Sequence, residues 1–358
     1  MNQGMNDGPL LKVENLRVSF QTDEGRFTAA DDVSMEIGRG ESVGLVGESG
    51  CGKSVTALAL ARLIPSPPGR IDSGAVYFEG RDLMRKKPAE MRKIRGSAIS
   101  MIFQEPLSAL SPLHRVGRQL VEALRLHSRM SRREAWQYAE KWLQKVGIPD
   151  AGERMYNYPF QLSGGMQQRI MIAMALMLEP ALVIADEPTT ALDVTTQAQI
   201  FELLQNMKHN FGSLLLITHD MGVVWEMCER VIVMYASRIV EIAGREAIFA
   251  HPAHPYTAGL LAAIPRLSIP ETSGSETSGS ETSGPKTTGP EASGGRPRLK
   301  DIPGQVPSPF DYPRGCHFQA RCPHVFDRCR QETPPLHDCG GGQKAACFLL
   351  ENARKGSA

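Results

Sequence analysis

Over roughly its first 250 positions the chain alternates short apolar runs with stretches whose apolar residues recur at helical spacing. SVGLVG, ALVIAD, SLLLITHD and RVIVMYA are strand-sized, and SVTALALARLI, after the first of them, has the spacing of a helix. Continuous apolar strands alternating with helices predict a parallel sheet covered by helices, an α/β fold. One segment lacks strand signals. In SRREAWQYAEKWLQKVG, Ser131 and Glu134 have capping-box spacing, Ala135, Tyr138, Ala139, Trp142, Leu143 and Val146 share one face, and Gly147 supplies a stop. This predicts a helix within a helical insert.

The pattern stops at Pro270, where PETSG, SETSG, SETSG, PKTTG and PEASG follow one another with nothing to bury. Residues 270–298 therefore read as a disordered linker with a root-mean-square span of roughly 25 to 30 Å. A Cys- and Pro-rich module at 299–350 is free on this reading to sit well away from the rest. The 251–269 stretch, HPAHPYTAGLLAAIP onward, predicts a short extension helix after two X-Pro turns.

Composition narrows the class only a little. The chain has 358 residues, with 40 Lys and Arg against 39 Asp and Glu, so no global field favours nucleic acid or an anionic surface. The densest basic run, RKKPAEMRKIRG at Arg85 to Gly96, has no interleaved aromatics and reads as a solvated face. The N-terminus has no basic start followed by an apolar run, and no stretch approaches the ~18 apolar residues of a membrane span, so a cytoplasmic location is expected. Of seven cysteines, five fall between Cys316 and Cys347, which suits a thiolate metal site better than a disulfide framework.

The chemistry concentrates at two strand ends. Gly47-x-x-x-x-Gly52-Lys53-Ser54 follows a predicted strand and precedes a helix. There the backbone of Gly47, Glu48, Ser49, Gly50, Cys51 and Gly52 can turn N–H groups onto phosphate oxygens, Lys53 can neutralise the terminal phosphates, and Ser54 can ligate Mg2+. ALVIADEP ends a strand on Asp186 and Glu187, at the sheet edge where ligands of α/β folds collect. Asp186 suits Mg2+ held through water, and Glu187 suits polarising an attacking water. Cys51, near a helix start, reads as a small residue tolerated in the loop, with a redox role as the alternative. Met171, Met174 and Met177, at helical spacing, read as packing.

QLSGGMQQR, together with the phosphate loop, Gln104 in MIFQEP, Asp193 in TTALD and His219 in LLLITHD, in this order, resembles the ATPase subunit of ABC transporters over residues 9–250. The resemblance implies a P-loop NTPase with a RecA-like core and a helical subdomain at about 105–162. It implies that Ser163, Gly164, Gly165 and Gln167 address the ATP held by a partner subunit, and that Asp193 lines the dimer seam. It assigns Gln104 to Mg2+ and the attacking water, and His219 to the γ-phosphate. Phe27, or Phe20, is the expected platform for adenine.

The tail, including IPGQVPSPFDYPRGCHFQARCPHVFDRC, resembles that of ATPases driving dipeptide, oligopeptide and nickel importers. By that resemblance Cys316, Cys322, Cys329 and Cys347 hold a 4Fe-4S cluster. Zinc, with His317, His324 and His337 close by, and free thiols remain alternatives, and Cys339 lies outside the pattern.

The implied protein hydrolyses ATP beside a second, identical or different, ATPase subunit. Its further implied partners are two membrane permease subunits and a periplasmic or extracellular solute-binding protein, without nucleic acid, at the cytoplasmic face of the membrane. Two alternatives are a soluble ABC ATPase acting on nucleic acid or ribosomes, and an iron-sulfur redox-regulated ATPase.

Overall fold

The computed structural model of the chain describes residues 8–189, 193–208, 211–263 and 302–351. The 270–298 repeats lie outside the described residues. Five parallel strands form the centre, in the order Arg230–Tyr235, Ser42–Val46, Ser213–Ile217, Leu182–Asp186 and Ile99–Ile102. The three middle strands are buried at every position, because both faces of the sheet are covered. One core lies on each side. One joins the sheet to the helical insert through Trp142, Leu143, Ile170 and Leu216, the other joins it to a second sheet through Val13, Val33, Leu45 and Ile217.

That second sheet is antiparallel, in the order Gly25–Ile37, Leu11–Thr22, Gly69–Phe78 and Arg81–Asp82. It departs from the simple parallel pattern expected for the first 250 residues. Its two longest strands are irregular in register, which blurs the period-two alternation in sequence. Asp31 ties the two sheets together. Its carboxylate accepts from Arg17 Nε at 2.7 Å and from Arg238 Nε at 2.8 Å. Burial alone would raise its pKa, but Arg238 and Arg17 hold it below the usual carboxylate value.

Among the described residues no strand lies between Ile102 and Leu182, and the predicted insert is helical. Helix Arg132–Lys145 begins at Ser131, whose Oγ accepts from Glu134 N at 3.3 Å while Ser131 N donates to Glu134 Oε2 at 2.8 Å. Gly147, at φ 75°, follows its end as the sequence predicts. Met171 and Met177 are buried, in keeping with packing. The basic run forms helix Pro88–Ile94, anchored by buried Met91, and Arg95 turns inward onto the carbonyls of Ala61 and Arg62.

The C-terminal module, which the linker reading left free to sit well away, is packed on the main sheet. Hairpin strands His337–Gly340 and Gln343–Ala345 extend the main sheet, pairing antiparallel with Arg238–Gly244 beside Arg230–Tyr235. Phe318 is 2% exposed within the core that the main sheet shares with the helical insert. The module's regular structure is otherwise sparse, with one helix at Asp327–Gln331. The 251–269 stretch holds helix Pro255–Ala262, begun by His254, whose Nδ1 accepts from Tyr256 N. No described helix is long and apolar enough to cross a membrane.

Candidate functional site

Strand Ser42–Val46 hands the chain to helix Lys53–Leu60 through a loop that only glycine can follow at two points. Gly47 sits at φ 153°, where a Cβ would lie 2.2 Å from Met234 O, and Gly52 at φ 103°, where it would lie 2.1 Å from Ala29 O. The loop curls around Lys53, whose Nζ donates to Gly47 O at 2.8 Å and Glu48 O at 3.0 Å. The result is a cation beside the N-terminus of a helix, a favourable place for phosphate.

The loop opens on a cleft of about 330 Å³ lined by Phe20, Phe27, Ser49, Gly50, Gly52, Lys53, Ser54, Gln104 and Glu187. Both candidate adenine platforms are there, stacked on each other with centroids 5.6 Å apart. Ser54 Oγ donates to Asp186 Oδ1 at 2.9 Å, joining the phosphate-loop helix to the end of strand Leu182–Asp186. A hydroxyl beside a carboxylate is the oxygen-donor set that Mg2+ uses. Burial, then repulsion from Glu187, raises the Asp186 pKa despite the Ser54 hydrogen bond.

Glu187 is the next residue and adopts φ 43°, a left-handed conformation uncommon for glutamate. That turn aims its carboxylate at two partners. Gln104 Nε2 donates to Oε2 at 3.1 Å, and His219 Nδ1 lies 3.6 Å from Oε1. A carboxylate flanked by an amide and an imidazole can orient a water and accept its proton.

The signature residues sit elsewhere and are not among those lining this cleft. Ser163 caps helix Gly164–Leu176 through its Oγ and Met166 N, and a Cβ on Gly165 would lie 3.0 Å from Thr196. Exposed Asp193 caps helix Val194–Asn206, accepting from Thr196 N at 3.0 Å and from its hydroxyl at 2.7 Å. Gln167 is buried and donates to Pro159 O and Leu162 O, so its amide braces its own loop. Gln168, unmarked by the sequence reading, is 2% exposed and donates to Pro188 O, next to Glu187. Two consecutive amides within a largely apolar helix are the local signal for it.

Cys51 is buried beside Lys53, and burial raises its pKa, which favours the bland reading over a redox thiol. In the C-terminal module Cys316, Cys322, Cys329 and Cys347 line one small cavity with His254, Phe318 and Phe348. Burial, followed by the charges of neighbouring thiols, pushes Cys347 up to about 11, and burial leads the same rise to about 11 at Cys316. The expected metal module is met only in part. The donors converge, but the cavity is about 10 Å³, room for about one water rather than four irons. Among the described residues no group of three or more His, Cys, Asp or Glu is arranged to hold a metal ion. Cys339 does not line the cavity, and its Sγ donates to His337 O at 3.6 Å.

The ABC transporter family model matches residues 30–190, and the model for the C-terminal region of oligopeptide/dipeptide transporters matches 240–288 and 282–329. A probable peptide ABC transporter ATP-binding protein of Sinorhizobium fredii is 45% identical over 340 residues, 95% of this chain and 94% of its own. The oligopeptide transport ATP-binding protein OppD of Escherichia coli is 44% identical over 95% of this chain and 93% of its own. A dimeric ATP-binding cassette solved in a post-hydrolysis state with ADP and Pi superposes with a TM-score of 0.59 at 28% identity, over 66% of this chain and 98% of its own. The fold is thus that of a P-loop ATPase of the ABC class, which hydrolyses ATP to energise transport. Within that class the chain belongs to the family of ATP-binding proteins of oligopeptide and dipeptide ABC transporters.

Proposed function

We propose that this chain powers import of dipeptides, oligopeptides or a related small solute, using the cleft between Phe27 and Glu187 to bind and hydrolyse ATP. The observation that carries the reading is the convergence of Lys53, the Ser54–Asp186 pair and the Gln104–Glu187–His219 group at one sheet edge. Phe27 or Phe20 receives adenine, residues 47–52 wrap the phosphates, and Lys53 neutralises them. Ser54 and Asp186 hold Mg2+, which when bound neutralises phosphate charge. Glu187 takes the proton of the attacking water, held in place by Gln104, and His219 meets the γ-phosphate.

Ser163 to Gly165, at the start of a helix of their own, bind the ATP of a second ATPase subunit, and Asp193 lines the seam between the two. The helical insert at 105–162 transmits closure to two permease subunits at the cytoplasmic face of the membrane, which receive solute from a separate binding protein. Of the basic run only Arg95 turns inward, so that run decides nothing; the relatives' transporter character weighs against the soluble nucleic-acid or ribosome reading.

Glu187→Gln keeps the size of the side chain and removes its basicity. We expect turnover to fall by roughly 10²- to 10⁴-fold, with an ATP-stabilised dimer accumulating on a sizing column. Full turnover in that variant sinks the role given to Glu187.

We further propose that Cys316, Cys322, Cys329 and Cys347, rather than Cys339, bind a 4Fe-4S cluster, their loops parting to admit it. The gathering of four thiols in a loop-rich segment supports this. Iron and acid-labile sulfide in anaerobically purified protein, both lost in Cys316→Ser, are the expected result. Zinc, or no metal, would overturn the cluster and leave the ATPase reading intact.

A further inference from the structure

Glu48 is held at three points, two of which belong to the C-terminal part of the chain. Its backbone N donates to Tyr256 Oη at 2.9 Å, from the helix that follows the ATPase. Its carboxylate takes both arms of the Arg321 guanidinium, Nη1 at 2.6 Å and Nη2 at 3.0 Å. Its carbonyl accepts from Lys53 Nζ, the cation assigned above to the phosphates. Any shift of Glu48 therefore moves an acceptor of Lys53.

Arg321 is itself locked. It is 8% exposed, its Nε donates to Pro303 O at 3.0 Å, its Nη2 also donates to Ile302 O at 3.1 Å, and its guanidinium lies 5.8 Å from the Tyr235 ring centre. A planar fork with four of its five donors engaged holds a carboxylate in one orientation, which a lysine cannot do. A second line runs parallel to it. His317 Nδ1 lies 2.7 Å from Ala236 O, and Ser237 N, the next residue, donates to Cys51 O in the phosphate loop at 3.0 Å. His317 and Arg321 both lie in the short segment between Cys316 and Cys322.

We infer that Arg321 is a positioning residue of the ATPase: through Glu48 it sets the phosphate loop around Lys53, so the thiol-bearing segment determines nucleotide affinity. This rests on the cleft being the ATP site. It assigns the C-terminal segment a part in nucleotide binding that a plain structural appendage would not have.

The test is made on the full-length chain with a fluorescent methylanthraniloyl derivative of ADP, alongside steady-state ATPase measurements. Arg321→Met should weaken binding by roughly tenfold, within the range of coupled neighbouring residues, and raise KM while kcat changes little. Glu48→Gln should lose the same amount, the double variant should lose no more than either, and Arg321→Lys should recover part of the loss. Wild-type affinity in Arg321→Met, or losses that simply multiply in the double variant, would overturn the inference. If Arg321→Met fails to fold, Glu48→Gln carries the test, with unchanged affinity the overturning result. Lys53→Ala separates the two claims. If it abolishes binding while the Arg321 and Glu48 variants bind normally, only the inference fails; a wild-type chain that does not bind the probe overturns both.

Discussion

The phosphate loop and the C-terminal module meet at Glu48, yet they are built on different principles. The loop is defined by its backbone: positive φ at Gly47 and Gly52, main-chain carbonyls around Lys53, and a helix start, all within eight residues. Among the described residues the module has one short helix and one hairpin and, besides the pairing of that hairpin with Arg238–Gly244, is held by side chains that reach far along the chain. Arg321 pairs with Glu48 across 273 positions, and Phe318 contacts the rings of Tyr235 and Tyr256. Local geometry leaves a motif in a sequence, whereas docking leaves residues that look ordinary until the fold assembles them.

The largest expected effect comes from breaking that docking. Phe318 is 2% exposed, with ring centroids 5.1 Å from Tyr235 and 5.5 Å from Tyr256. Phe318→Ala should cost roughly 3 to 5 kcal/mol, the usual loss for a buried aromatic. That loss should fall on the attachment of residues 302–351 before it reaches the parallel sheet. Hydrogen exchange is the measurement. Amides of the Gln343–Ala345 strand should lose protection while those of Leu182–Asp186 keep theirs, and equal loss in both would show that the two regions unfold as one unit.

The same contrast explains what could be read in advance. Four of the five parallel strands of the main sheet are largely continuous, buried apolar runs, so SVGLVG, ALVIAD, SLLLITHD and RVIVMYA are visible as strands, whereas the edge strand Ile99–Ile102 is not. Lys53 and Ser54 open a helix after a glycine-bounded loop, Asp186, Glu187, Gln104 and His219 sit at or just past strand ends, and the structure brings them together. The antiparallel sheet was not legible, because register shifts at Val13/Leu16 and Leu16/Val18 interrupt its alternation. Nor was the role of Gln167, since burial of its amide depends on the fold of the Pro159–Leu162 turn. The four module cysteines were recognisable as a donor set, but nothing in their spacing shows that Arg321 and His317 among them point away, into the ATPase.

A smaller effect tests whether charge joins the two sheets as firmly as aromatic packing joins the module. Asp31 is 8% exposed and bonded to Arg17 and Arg238. Asp31→Asn should cost about 2 kcal/mol, as for hydrogen bonds to charged groups. Because the folded pKa lies below the ordinary 3.8, the contribution is complete above that value and fades as pH falls through the lower folded pKa. Urea midpoints of wild type and variant should therefore differ at neutral pH and converge in acid. A gap that persists undiminished in acid would mean that shape, rather than charge, holds Asp31 in place.

The smallest effect belongs to a structure that is local in both senses, legible in sequence and confined in consequence. Ser131 and Glu134 exchange two hydrogen bonds at an exposed helix start, so water competes for every group involved. Ser131→Ala should cost about 1 kcal/mol. That loss should fray the first turn of Arg132–Lys145, speeding exchange there by roughly fivefold, while Trp142 and Leu143 keep the rest of the helix in the core. ATP affinity should not change, since no part of the capping box lines the cleft proposed for ATP. A measurable change in affinity would show that the helical insert is coupled to the phosphate loop as tightly as Arg321 is, and would erase the distinction between a region that touches the loop and one that does not.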